Sequence, residues 1–308
     1  MATARPSTEQ GLPDVLGIDT WEDARILDCL AGGQERAIAA VRAAIPKISQ
    51  AAGLLAERLA AGGRLIYAGA GTSIRIGVQD GSELPATFGI AEDRISYLIA
   101  GGRAAMFETL ADAEDDIAAG AAGAKAGCSP ADALIAVAAS GSTPFTVAAA
   151  KAARAAGCLV IGIVNNPGSA LGAAADIEIT LNSGPEVIAG STRLGAGTAQ
   201  KAALNLLSTL THIKLGAVHD GMMVNVQAAN AKLRQRATGI VMRIAGVNQA
   251  TAAMALKVAD GAIKPAVLLC TGASDIAAAR GCLAKAQGNL RQALALQSSA
   301  LLGKKRMK

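Results

Sequence analysis

Apolar and polar positions divide the chain into stretches of different period. Over 34–61, Ile38, Val41, Ile45, Ile48, Ala52 and Leu55 recur at three- and four-residue steps, the spacing of one helical face. Pro46 lies inside that run and is expected to kink or split it, since it brings no backbone donor. Residues 1–20 are polar and carry Pro6, Gly11, Pro13 and Gly17, which predicts an irregular arm. Thr20, followed by acids, reads as the cap of a helix running through Asp28, with Trp21 as a packing anchor. From residue 64 the pattern changes. Short continuous apolar runs at 64–69, 94–100, 133–139, 159–164 and 177–181 alternate with helical stretches near 73–84, 104–124, 143–156, 168–174 and 197–217. Such alternation predicts an α/β fold: a doubly wound, five-stranded parallel sheet covered on both faces. Past 229 only helical runs remain, near 229–244, 249–259, 275–286 and 289–301, which predicts a small C-terminal helical domain. The expected division is an arm with helices over 1–48, the sheet domain over 49–228 and the helical domain over 229–308.

Composition narrows the function. An apolar fraction of 52% over 308 residues is enough for a sizeable core, while 2% aromatics leaves few rings for stacking nucleic-acid bases. The net charge of +5 sits partly in the tail Lys304–Lys308. It gives little support for a nucleic-acid partner and suits an anionic substrate equally well. Five widely spaced cysteines without a C-x-x-C read as reduced thiols in a cytoplasm, and two histidines argue against a metal cluster. The opening residues hold no apolar signal core, and no apolar run is long enough to span a membrane.

In doubly wound sheets, ligands bind outside the carboxyl ends of the strands. After the first run comes Gly69-Ala70-Gly71-Thr72-Ser73, a glycine turn with two hydroxyls opening a helix. After the third comes Ala139-Ser140-Gly141-Ser142-Thr143-Pro144, with Pro144 in a first helical turn. Backbone N–H groups at helix starts, joined by hydroxyls, form anion cradles, so the two loops together read as a phosphate and sugar site. Each loop alone is equally an ordinary turn or cap. Glu83 follows Ser73 by ten residues, with Ser82 just before it, and Glu114 stands in the acidic cluster Glu114-Asp115-Asp116. Either glutamate is a candidate acid or base, or a solvated surface acid. Ser191 and Thr192, before the helix at 197–217, cap that helix or touch ligand.

The stretches IYAGAGTSIRIGVQDGSELPATFG, ADAEDD, AASGSTPF and, most specifically, PEVIAGSTRLGAGTAQKAALNLLST resemble the N-acetylmuramic acid 6-phosphate etherase family of the SIS (sugar isomerase) superfamily, over about residues 35–236. The C-terminal stretch AVLLCTGASDIAAARGCLAKAQGNLRQAL is similar to that family's small helical domain. The resemblance implies a flavodoxin-like sheet and a cytoplasmic homodimer without metal or other cofactor. It implies a lyase that removes D-lactate from a phosphosugar by elimination and then hydration. It places Glu83 on the family's proton donor and Glu114 on its second catalytic carboxylate. Thr72, Ser73, Ser82, Ser140, Gly141, Ser142, Thr143, Ser191 and Thr192 fall on the substrate side. Three features depart from the family's pattern: Ile74 stands in GTSIR where the family reads GTSGR, Ser142 stands where it has arginine, and the N-terminal arm lacks the family's arginine- and asparagine-containing opening. A β-branched residue resists positive φ, so a different turn is expected at Ile74. A non-enzymatic sugar-phosphate sensor, as in the related glucokinase regulatory protein, and an aldose–ketose isomerase are the rival readings.

Overall fold

The computed structural model describes residues 6–108, 110, 112–227 and 230–306, the side chains as far as 300. The elements are helices α1 (Asp23–Ala43) and α2 (Ile45–Ala60), then β1 (Leu65–Gly69), α3 (Gly71–Phe88), β2 (Ile95–Ile99), α4 (Ile117–Gly127), β3 (Ala133–Ala138), α5 (Pro144–Ala155), β4 (Leu159–Val164), α6 (Ala170–Ala174), β5 (Ile177–Thr180) and α7 (Gly195–Lys214). A two-residue hairpin, β6 (Val218–His219) and β7 (Met222–Met223), precedes α8 (Ala231–Ala245), α9 (Gln249–Val258), α10 (Ile263–Cys270), α11 (Ile276–Lys285) and α12 (Leu290–Arg306). The chain forms two compact units. The first comprises residues 1–82 and 92–210, the second residues 83–91 and 211–308.

Five parallel strands in the order β2-β1-β3-β4-β5 make the sheet of the first unit. β1, β3 and β4 are buried along their whole length, as their unbroken apolar runs require. Alternate residues serve opposite faces. Ile66, Ala68, Leu134, Ala136 and Val160 build one core with Ala149 and Ala153 of α5 and Ala124 of α4. Tyr67 faces the other way, stacked on Tyr97 with ring centroids 5.9 Å apart. α3 passes over that pair at Gly81, where an added Cβ would stand 2.8 Å from both rings' atoms, so only glycine permits the approach. The Tyr67 hydroxyl donates to Asp80 of α3 (2.8 Å), whose carboxylate also accepts from Asn205 (2.7 Å) and Ser208 (3.0 Å) of α7. One buried carboxylate thereby ties β1, α3 and α7 together.

Several local expectations are corrected. Helix α1 starts at Asp23 and runs through Gly32 and Gly33 without a break. Thr20 does not cap it: its hydroxyl donates back to the Gly17 carbonyl (2.7 Å). Of the two outcomes expected at Pro46 the split is the one found: it stands in the first turn of α2 after Ala44. The stretch 104–124 is not one helix. Short 3₁₀ turns at Arg103–Met106 and Ala113–Asp115 precede α4, and Asp116 caps α4 by accepting the Ala119 N–H (2.8 Å). The arm carries 3₁₀ turns at Ser7–Glu9, Pro13–Val15 and Ile18–Thr20.

In the second unit α10 is the centre, packed against α8, α9, α11 and α12. Its residues Ile263 to Leu268 are all buried. Lys264 lines a cavity of about 430 Å³ and donates to the Gly288 carbonyl (2.6 Å); burial lowers its pKa to about 8.

Candidate active site

Strand order fixes where a ligand can sit. The chain leaves β1 toward β2 on one side and leaves β3 toward β4 on the other, so the loops after β1 and β3 part at a topological switch point. Gly69 pairs with Val137 in the register between the two strands, which sets these loops side by side. They are the two hydroxyl-rich loops.

In the first loop the left-handed residue is Gly71 (φ 52°), and α3 begins there. Thr72 and Ser73 therefore lie in its first turn, where the N–H groups lack intrahelical acceptors. Ser73 is buried and Thr72 half-buried. Ile74 needs no unusual backbone: it is a buried helical residue packed on Gly69 and Gly77, so glycine is required at 71 and not at 74. In the second loop Gly141 takes φ 68°, its N–H donates to Ala138 and its carbonyl accepts from Leu171 (2.8 Å). An added Cβ would lie 2.3 Å from the Ser169 hydroxyl oxygen. Ser140 Oγ accepts the Ser142 N–H (3.1 Å), which draws the loop into a small ring. Thr143 occupies the N-cap of α5, yet its side chain makes no cap hydrogen bond. Ser142 is exposed.

Ser191 and Thr192 lie close to the first loop. A Cβ at Gly197 would be 3.2 Å from the Thr192 carbonyl oxygen and 3.6 Å from Thr72 Cγ2. Neither residue caps α7. The buried Glu186 does so, accepting the N–H groups of Gly195 (2.9 Å) and Ala196 (2.8 Å). Ser82 is exposed, and its hydroxyl bonds to Gln79 within α3 (3.1 Å), so it joins neither loop. Glu83 is exposed on α3 and belongs to the second unit. Glu114 is exposed in the 3₁₀ turn that follows β2. The approach to that turn is held by Arg75, in α3's second turn, which donates to the carbonyls of Ala105 (2.9 Å) and Glu108 (3.4 Å). Among the described residues no group of three or more His, Cys, Asp or Glu is placed to hold a metal ion, and no helix is long and apolar enough to cross a membrane.

A family profile described as "Glucokinase regulatory protein N-terminal SIS domain" matches residues 47–154. The chain is 47% identical over 272 residues to a protein of Symbiobacterium thermophilum named N-acetylmuramic acid 6-phosphate etherase, covering 87% of this chain and 89% of that one. A Deinococcus radiodurans protein of the same name is 46% identical over 85% of this chain and 86% of its own. The chain belongs to the N-acetylmuramic acid 6-phosphate etherase family. A solved phosphoheptose isomerase from Francisella tularensis aligns with 61% of the chain and 96% of its own length at 21% identity and a TM-score of 0.43.

Within this family member, the residues that hold the loops in place were not singled out from sequence. Asn165 donates to Leu181 (3.1 Å) and accepts from Gln200 (2.9 Å), tying β4's end to β5 and α7. Its neighbour Asn166 donates to the Ala139 carbonyl (2.9 Å), at the root of the second loop. The signal was present: two asparagines directly follow an all-apolar strand. Both are buried, and both lie in the turn that ends β4.

Proposed function

We propose that the chain cleaves the D-lactyl ether of N-acetylmuramic acid 6-phosphate, giving N-acetylglucosamine 6-phosphate and D-lactate. The observation that carries this reading is 46–47% identity, over 85% or more of the chain, to proteins named for that activity. The geometry of the first unit supports it. First-turn N–H groups of α3 and α5, with the hydroxyls of Thr72, Ser73, Ser140 and Thr143, offer donors to a phosphate and to sugar hydroxyls. Gly141 and Ser142 supply backbone at the same loop, and Ser191 and Thr192 border it.

The chemistry requires acid–base groups rather than a redox centre. In the open-chain sugar the aldehyde acidifies the proton on carbon 2. Glu114 takes that proton, the bond from carbon 3 to the ether oxygen breaks, and Glu83 protonates the departing lactyl oxygen. Glu83, now a carboxylate, activates a water that adds to carbon 3 of the unsaturated aldehyde, while carbon 2 is reprotonated. The net change is addition of one water and release of one lactate. Bringing the two glutamates to the loops belongs to this proposal, as do a homodimer and a cytoplasmic setting. Family membership supports the dimer, and five free cysteines support a reducing compartment.

The test is D-lactate release from N-acetylmuramic acid 6-phosphate, with Glu83→Gln beside wild type. Loss of a general acid–base costs roughly a hundredfold or more in turnover. A variant within threefold of wild type removes Glu83 from the mechanism; wild type that binds the phosphosugar without releasing lactate favours the sensor reading.

A further inference from the structure

The arm before α1 reads as irregular in sequence, yet residues 7–9 are built into the rim of the sheet. Thr8 is fully buried. Asn166 grips it from the end of β4. The Asn166 carboxamide oxygen accepts the Ser7 N–H (2.7 Å) and the Ser7 hydroxyl (2.8 Å), and its nitrogen donates to Thr8 Oγ1 (3.1 Å). That same nitrogen donates to Ala139, where the second hydroxyl loop begins. On the far side the Thr8 carbonyl accepts the Gly190 N–H (3.0 Å), immediately before Ser191 and Thr192. The arm is thus a bridge between two stretches of the candidate site.

The next residue is Glu9. A Cβ built at Gly190 would stand 3.0 Å from Glu9 Oε2, and Gly190 itself has φ 74°. Glycine leaves the space that the carboxylate fills. Among the described residues that carboxylate has no hydrogen-bond or ion-pair partner, and Glu9 is exposed. The N–H groups of Ser191 and Thr192 are already satisfied by Ile188 and Gly190 (both 2.9 Å). Burying Thr8 and committing Asn166 therefore places an acceptor at the rim with both oxygens unspent.

We propose that Glu9 is a specificity-determining residue of this site, accepting a hydrogen bond from a donor on the sugar, a hydroxyl or the acetamido N–H, with Asn166 as its positioning residue. A carboxylate repels phosphate and lactyl carboxylate alike, so Glu9 meets the donor-bearing side of the ligand. The inference rests on the phosphosugar reading of the site.

The experiment compares wild type, Glu9→Gln and Glu9→Asp in lactate release. It also measures calorimetric binding of N-acetylglucosamine 6-phosphate, inhibition by inorganic phosphate, and melting temperature. A lost hydrogen bond to a charged acceptor is worth roughly ten- to hundredfold. Glu9→Gln is expected to raise KM and weaken sugar-phosphate binding by at least tenfold, with kcat within threefold, and with phosphate inhibition and melting temperature unchanged. Glu9→Asp keeps the charge and recovers part of the loss. Glu9→Gln with wild-type KM and affinity overturns the inference while leaving the etherase reading intact. A rise in KM matched by equally weakened phosphate inhibition also overturns it, because the arm would then act only through the phosphate loops. Wild type that neither turns over nor binds the sugar phosphate overturns the site reading, and this inference with it.

Discussion

Asp132 offers a sharp separation of stability from activity. It precedes β3, at the amino end of the sheet, and is 2% exposed. It accepts from the Arg64 backbone N–H (2.8 Å), Arg64 Nε (3.2 Å) and Nη2 (2.8 Å), and from the Ser129 N–H (2.9 Å) and hydroxyl (2.8 Å). Burial alone would raise its pKa; the hydrogen bonds from Arg64 and Ser129 outweigh it and hold the carboxyl at about 2 rather than 3.8. At roughly 1.4 kcal/mol for each tenfold change in proton affinity, that is about 2 kcal/mol of stability. The sign follows from the depressed folded-state value. The contribution is complete above about pH 4 and fades as pH falls toward 2. Asp132→Asn loses it and also turns an amide N–H toward groups that are all donors, so the expected cost at pH 7 is about 2–4 kcal/mol. For a chain of this size that lowers the melting temperature by roughly 5–10 °C. Thermal melts of both proteins at pH 7, 5, 4 and 3 read the gap, and lactate release at 25 °C reads the site. The gap is expected to narrow from pH 4 to pH 3, with kcat and KM unchanged, because the candidate site lies at the carboxyl ends of the strands. A gap under 1 °C at pH 7, or one that stays constant to pH 3, refutes the assignment.

Ser140→Ala is expected to raise KM severalfold, the scale of one neutral hydrogen bond, with kcat little changed; an unchanged KM counts against its place in the cradle. Gly141→Ala must place a Cβ 2.3 Å from the Ser169 oxygen at φ 68°, so both melting temperature and substrate affinity should fall; wild-type behaviour in both would show that the loop relaxes freely. The neighbouring Cys158 thiol lowers the Cys128 pKa, while Cys128 and burial push Cys158 up. Iodoacetamide at pH 8 is therefore expected to label Cys128 first, and mass spectrometry finding Cys158 labelled as fast would contradict that.

The sheet was legible because its strands are unbroken apolar runs that no solvent-facing helix would carry: LVIGIV at 159–164 is β4 to the residue. The two loops were legible because glycine and hydroxyls cluster where a strand stops. What escaped was held by single polar residues. Asp80, Asn165, Asn166 and Glu186 are buried carboxylates and amides whose partners stand 9 to 159 residues away, and no local period announces them. Helix α10 escaped for a different reason. Six of its eight residues are buried, so it shows no amphipathic period, and Pro265 stands in its first turn. The β6–β7 hairpin is too short to show alternation.

The bridge from Thr8 to Asn166 and Gly190 also sets an order of events during synthesis. Thr8 is made before its partners, which follow 158 and 182 residues later. At roughly 5–20 residues per second, about 10–35 seconds separate its emergence from that of Gly190. Through that interval the arm lacks its full seat, because the loop after β5 does not yet exist. Docking of the arm therefore follows the emergence of all five strands, and the sheet can pair before its rim is closed.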